Sequence, residues 1–340
     1  MTRKLDVAVL GATGAVGREM LRILEQRDFP VGRLVALASP KSAGRTVRFR
    51  GEDVRVEAVT ESAFDGIDVA LFSAGSAASK EWAPKAAARG ATVIDNSSAW
   101  RMDPDVPLCV PEVNFEAARE CKKGIVANPN CSTIQMVVAL KPLHDEARVR
   151  RVVVSTYQAI SGAGAKAVDA FEKQMAAYVS GEPIDTSVLG GQLAGNLLMQ
   201  WARDAASGYQ EEELKMVHET RKILGDPDVR VSPTTVRVPV ANAHAESIAV
   251  EFERPLTAAR ARELLARAPG VELVDDFAEG IYPQPIHASG RDAVLVGRVR
   301  EDIGNPGGLM LWVVGDNLRK GAALNAVQIA ECLFLDRAPR

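Results

Sequence analysis

The segment Leu10-Gly11-Ala12-Thr13-Gly14-Ala15-Val16-Gly17 narrows most sharply what this chain can fold into. It joins an apolar run at residues 6–10, which reads as a strand, to residues 15–27, whose apolar side chains recur at helical spacing. Glycines at such a junction allow a tight turn and let a backbone approach a pyrophosphate. The helix N-terminus adds unpaired N–H donors and a favourable dipole. In this strand–turn–helix setting Gly11, Thr13, Gly14, Ala15 and Val16 are candidate dinucleotide contacts; a plain glycine turn is the alternative. The cofactor type is read at the end of the second strand, where an acidic residue would hold an unphosphorylated ribose. This chain has Ala38-Ser39-Pro40-Lys41-Ser42-Ala43-Gly44 there. Ser39, Lys41 and Ser42 suit a 2′-phosphate, so NADP (NADPH) is favoured over NAD.

The alternation continues. Strands are predicted at 34–38, 68–73, 91–95 and 124–127, with an alanine-rich helix at 76–89. Strands alternating with helices argue for a parallel sheet covered on both faces, and right-handed crossovers make it doubly wound. After about residue 130 the pattern changes. A β-branched strand at 152–160 is followed by helical segments near 163–180 and 210–224. Strands then follow at 229–240, 247–253, 294–300 and 309–315 with few helices between them. That predicts an α/β chain: an N-terminal Rossmann-like domain (1–128) and an α+β catalytic and dimerisation domain with a mixed sheet (129–316). One apolar-faced helix (317–336) returns to the first domain.

Composition removes several function classes. The 340 residues carry a net charge of −3 without a long basic run, which gives no support to nucleic-acid binding. No apolar stretch of about 18 residues predicts a membrane span. The first residues lead directly into a strand without the features of a signal peptide. Four scattered cysteines without a Cys-x-x-Cys argue against a disulfide scaffold and fit a reducing cytoplasm. The four histidines have no metal-ligand spacing, so no metal is expected.

Cys131 falls where the strand at 124–127 meets a helical pattern at 132–145. Unpaired N–H groups and the helix dipole favour a thiolate there, a nucleophile for a carbonyl carbon. A small buried hydrophobe is the competing reading. Gln158, at the end of the long strand, is a candidate to orient a reacting carbonyl. Ser161 and Gly162 follow in a small-residue turn that would admit a nicotinamide ribose, although a structural turn explains the glycines equally well. Glu212 and Lys215 share one helix face. Arg237 is a single arginine among apolar strand residues and needs an anion, such as a carboxylate held by its fork of donors. His244 follows seven residues later, able to take a thiol proton and return one, or simply structural.

In order along nearly the whole chain, these segments resemble the aspartate-β-semialdehyde dehydrogenase family. The resemblance is carried by Gly-Ala-Thr-Gly-Ala-Val-Gly (11–17), Ser-Ser-Ala-Trp-Arg-Met-Asp (97–103), Asn-Pro-Asn-Cys-Ser-Thr (128–133) and Tyr-Gln-Ala-Ile-Ser-Gly-Ala-Gly (157–164). Glu-Glu-Leu-Lys-Met (212–216) and Arg-Val-Pro-Val (237–240) with His244 complete it. It implies NADPH-dependent reduction of aspartyl 4-phosphate to aspartate 4-semialdehyde through a cysteine thioester. That reaction lies on the way to lysine or diaminopimelate, threonine and methionine. The resemblance further implies Cys131 as nucleophile, His244 as acid/base and Gln158 positioning the acyl group. It places Arg237 on the substrate carboxylate, Glu212 on its ammonium, and Arg101, Lys215 and Asn130 on the phosphate. Asn317 would contact the nicotinamide, and a homodimer would form through the second domain. An N-acetyl-glutamyl-phosphate reductase and a catalytically silent binding relative are the alternatives. The family's Gly-His-Ser-Glu reads Ala243-His244-Ala245-Glu246 here, and Ala243 is expected to keep a negative φ.

Overall fold

β1 (Leu5–Leu10) is buried along almost its whole length, as a central parallel strand must be. Around it α1 (Ala15–Gln26), β2 (Val31–Ala38), β3 (Thr46–Phe49), β4 (Glu52–Ala58), β5 (Val69–Phe72), α2 (Ser76–Ala88), β6 (Thr92–Asp95) and β7 (Ile125–Ala127) build a sheet of order β3-β4-β2-β1-β5-β6-β7. Two short helices, α3 (Pro111–Asn114) and α4 (Glu116–Arg119), precede β7. This is one of two compact units of a computed structural model that describes residues 3–199 and 201–337. The first unit is Met1–Asn130 with Ala322–Arg340 and the second is Cys131–Gly321.

The β3–β4 hairpin was not expected from sequence. Its two strands pair antiparallel at the edge of an otherwise parallel sheet. They turn through Arg50 and Gly51, both with positive φ (48° and 79°), the geometry of a two-residue hairpin turn. Charged residues on this edge hid the alternation.

The second unit begins with α5 (Cys131–Ala147), β8 (Val149–Gln158), α6 (Ala165–Ser180) and α7 (Glu211–Leu224). β9 (Arg230–Arg237), β10 (His244–Phe252), α8 (Ala258–Leu265), β11 (Val271–Leu273), α9 (Pro285–Ala288), β12 (Val294–Glu301) and β13 (Leu309–Gly315) complete it. Its sheet has the order β11-β12-β13-β10-β8-β9. The sheet is mixed: β10 is antiparallel to β8 and β13, while β8 and β9 are parallel. α5 packs across β8, β10, β12 and β13. Val153 and Tyr157 of β8 are partly exposed, and the Tyr157 and Trp312 rings lie 5.4 Å apart.

The single helix expected at 317–336 is divided: a π-type turn (Arg319–Ala323) precedes α10 (Leu324–Leu335). In the first unit α10 packs on α1, α3 and α4. Asn325 Nδ2 donates to the Cys109 carbonyl at 3.0 Å, and Arg27 pairs with Glu331 at 2.7 Å.

Candidate active site

In the first unit the glycine turn is a matter of clearance. At Gly11 (φ +90°) a β-carbon would stand 2.4 Å from the Ser73 carbonyl oxygen, and at Gly17 it would stand 2.2 Å from that of Gly11. Gly14, the N-cap of α1, is extended and brings no side chain to the helix start, and no acidic residue occupies the first turn. The α1 N–H groups thus meet no side-chain cap, which fits an anion approaching through Thr13–Val16. At the end of β2, Ser39 and Lys41 are exposed and Ser42 is half-buried in a short turn, with no carboxylate among them. Arg101 is buried, its guanidinium donating to the carbonyls of Asn128 (3.0 Å) and Asn96 (2.9 Å). Asn130 is also buried, directly before Cys131 in the chain.

The second unit gathers the chemical residues. Cys131 is the first residue of α5 and is partly accessible. Gly321 makes room beside it, because a β-carbon there would come 2.9 Å from Cβ of Cys131. β8 delivers Gln158, whose Nε2 donates to Glu212 Oε1 at 3.2 Å and whose Oε1 accepts from the Thr156 hydroxyl at 3.1 Å. Glu212 Oε2 also accepts from Lys215 Nζ at 2.9 Å, the pair one turn of α7 sets up. Its neighbour Glu213 is structural: it closes a capping box with Gln210 and accepts from the Thr235 N–H.

Arg237 ends β9, with Nη1 donating to the Ala159 carbonyl at 2.6 Å. Its guanidinium lies 4.9 Å from the centre of the Trp201 ring. Burial lowers its pKa, opposed by the nearby charges of Cys131 and Glu212. It has no salt bridge among the described residues. Trp201 gave no signal in the sequence. Its segment is held by residue 198 pairing with Arg237 through main-chain bonds of 3.0 and 2.8 Å and by the Trp201 N–H donating to Gln210 Oε1 at 3.3 Å.

His244 opens β10 with no exposed surface. Its Nδ1 accepts the Ala159 N–H at 3.0 Å, which puts the proton of a neutral ring on Nε2. Nε2 has no partner. Burial and then the Arg237 charge lower its pKa to about 3, with Glu212 opposing. The lowered pKa and the Nδ1 bond together favour a neutral ring with its proton on Nε2. A β-carbon at Gly162 would crowd this point, standing 3.3 Å from His244 Nε2 and 3.4 Å from Arg237 Nη1.

The turn before His244 differs from expectation: Ala243 has φ +70°. A left-handed alanine is held by its N–H donating to Asn317 Oδ1 at 3.0 Å, and Asn317 Nδ2 donates to Ser161 Oγ at 2.9 Å. Asn317 and Ser161 are both buried and fasten the His244 turn to the turn after β8.

Two family descriptions match the chain: "Semialdehyde dehydrogenase, NAD binding domain" over residues 6–121 and "Semialdehyde dehydrogenase, dimerisation domain" over residues 140–320. An aspartate-semialdehyde dehydrogenase of Aquifex aeolicus is 55% identical over 330 residues, covering 96% of this chain and 97% of that protein. The crystal structure of aspartate semialdehyde dehydrogenase II from Vibrio cholerae, 49% identical, superposes with a TM-score of 0.95 over 98% of this chain and 99% of that one. The same Vibrio enzyme complexed with ASA gives 0.96 at 48% identity over 98% of this chain and 99% of that one. The chain belongs to the aspartate-semialdehyde dehydrogenase family. As a family member it has a nicotinamide-dinucleotide-binding domain and a dimerisation domain. No described helix is long and apolar enough to cross a membrane.

Proposed function

We propose that this protein reduces L-aspartyl 4-phosphate to L-aspartate 4-semialdehyde, releasing phosphate, and runs in reverse when phosphate and semialdehyde are supplied. The observation that carries the reading is Arg237. It is a guanidinium beside the Cys131 nucleophile, stacked on Trp201 and without a salt bridge among the described residues. This suits a substrate whose α-carboxylate is clamped while its acyl end meets the thiolate.

The α5 N-terminus and the Arg237 charge favour the Cys131 thiolate. It attacks the acyl carbon, the C–O bond to phosphate breaks, and a thioester forms. Gln158 orients the acyl group. Glu212 receives the substrate ammonium, and Lys215, together with Arg101 and Asn130, holds the leaving phosphate. His244 Nε2–H donates to the oxyanion that develops at each addition to the carbonyl. After reduction the thiohemiacetal collapses, the C–S bond breaks and the thiolate returns. NADPH, when bound, supplies the hydride for that reduction. Gly11–Val16 would hold its pyrophosphate, Ser39, Lys41 and Ser42 its 2′-phosphate, and Ser161, Gly162 and Asn317 would border its nicotinamide end. The enzyme works in the cytoplasm as a homodimer, and the family's dimerisation domain and the partly exposed Val153 and Tyr157 support that assembly.

The test is phosphate-dependent NADPH formation from aspartate semialdehyde and NADP⁺, beside Cys131→Ala. Activity that depends on phosphate and vanishes in the variant is expected. Turnover confined to N-acetyl-glutamate semialdehyde would overturn the substrate.

A further inference from the structure

Glu246 has no part in the chemistry above, yet its surroundings are unusual. It lies two residues after His244 on β10, so both side chains share one face of the sheet. It is fully buried, and among the described residues neither carboxyl oxygen has a hydrogen-bond partner. Its cross-strand neighbours are Thr156 on β8 and Val313 on β13, neither of them titratable. The side chain that faces it from the helix layer is Gln135. His244, on its own strand, is neutral. A carboxylate without a counter-charge is far costlier in such a place than the uncharged acid. Burial accordingly pushes this carboxyl well above the ordinary range, with Gln135 the opposing influence.

Gln135 supplies the complementary group. It lies one helical turn after Cys131 on the same face of α5. Its Nε2 donates to the main-chain carbonyl of His244 at 3.4 Å, while its Oε1 is buried without a partner among the described residues. Gly315, opposite His244 in β13, leaves space for this amide, since a β-carbon there would fall 2.8 Å from Gln135 Oε1. Two unmatched buried groups, an acid and an amide oxygen, thus stand together between the strand of the histidine and the helix of the cysteine.

We propose that Glu246 is a positioning residue that, as an un-ionised acid, donates its proton to Gln135 Oε1 and so ties the strand of His244 to the helix that begins at Cys131. The consequence for turnover rests on the proposed roles of those two residues; the protonation state does not.

Infrared difference spectra of the full chain against Glu246→Gln at neutral pH read the acid directly. A protonated-carboxyl band present in the wild type and lost in the variant is expected; carboxylate bands alone overturn the proposal. Kinetics read the positioning. Glu246→Gln keeps neutrality and shape, and its kcat should stay within about threefold of wild type. Glu246→Ala and Gln135→Ala should each lower kcat about tenfold with KM for semialdehyde and phosphate unchanged, and the double variant should be no worse than either. Additive losses, or a Glu246→Gln enzyme as slow as Glu246→Ala, overturn it.

Should the alanine variants not fold, stability against pH decides. The folded acid keeps its proton while the unfolded one loses it above about 4.5, so wild-type stability falls as pH rises from there. Glu246→Gln lacks that loss and should gain on the wild type as pH increases, with the gap closing below pH 4. A gap independent of pH overturns the proposal. A protein that shows the acid band but no semialdehyde activity leaves this inference standing and removes the function instead.

Discussion

The dinucleotide turn of the first unit and the cysteine cluster of the second are built on opposite principles. The first is backbone, seven consecutive residues whose glycines give clearance and whose helix presents bare N–H groups. The second is side chains from α5, β8, α7, β9 and β10, brought together over more than a hundred residues of sequence. A backbone site fails through sterics, abruptly and locally. A side-chain site fails group by group, and each loss has its own kinetic signature. Substitutions in the two places should therefore differ in kind as well as in size.

Gly11→Ala has the largest expected effect. It combines a 2.4 Å clash with the Ser73 carbonyl oxygen and a φ of +90° that alanine tolerates poorly. Overpacking and backbone strain together cost roughly 3–5 kcal/mol. Thermal unfolding should show a large fall in midpoint, and calorimetry should show NADP⁺ binding lost. A variant that keeps wild-type stability would mean the turn can open, against the rigid reading of this unit.

Arg237→Ala should come next and leave the fold intact. Removing one partner of a desolvated charge pair with the substrate costs about 2–5 kcal/mol, so kcat/KM for aspartate semialdehyde should fall about 30-fold or more. The KM for NADP⁺ should hold. Parallel losses for both substrates would show that the arginine supports structure and does not clamp the carboxylate. Lys41→Ala is the gentler counterpart in the first unit. An exposed ion pair contributes up to about 1 kcal/mol, so kcat/KM with NADP⁺ should drop about fivefold while that with NAD⁺ stays level. An unchanged ratio would remove Lys41 from the cofactor contacts.

The same contrast explains what could be read before the structure. The turn at 11–17 and the parallel strands were legible because their determinants are contiguous and periodic. Cys131 and Arg237 were visible because a cysteine at a strand-to-helix junction and an arginine inside an apolar strand are chemically conspicuous. Three features were not legible. The β3–β4 hairpin was masked by the charges tolerated on an edge strand. Trp201 sits in an irregular segment that is held near Arg237 by main-chain pairing at residue 198 and by the Trp201 N–H donating to Gln210 Oε1. The tautomer of His244 is set by the Ala159 N–H, a backbone group that no motif encodes.

Ala243→Gly carries the smallest effect and separates strain from function in the second unit. At φ +70° an alanine is strained by about 1–2 kcal/mol. Glycine removes that strain but gives back about 0.4–1 kcal/mol through the greater freedom of the unfolded chain. The net gain is then under about 1.5 kcal/mol, a rise of about 1–3 °C in the unfolding midpoint for a chain of this size. The bond from the residue 243 N–H to Asn317 is main-chain in origin and survives the change. His244 should stay in place, with kcat within about twofold of wild type, as the matched pair of calorimetry and steady-state assays would show. A gain in stability accompanied by a clear loss of kcat would mean that the strained alanine itself holds the imidazole in register. The second unit would then share the first unit's dependence on backbone conformation, and the contrast between the two would narrow to one of degree.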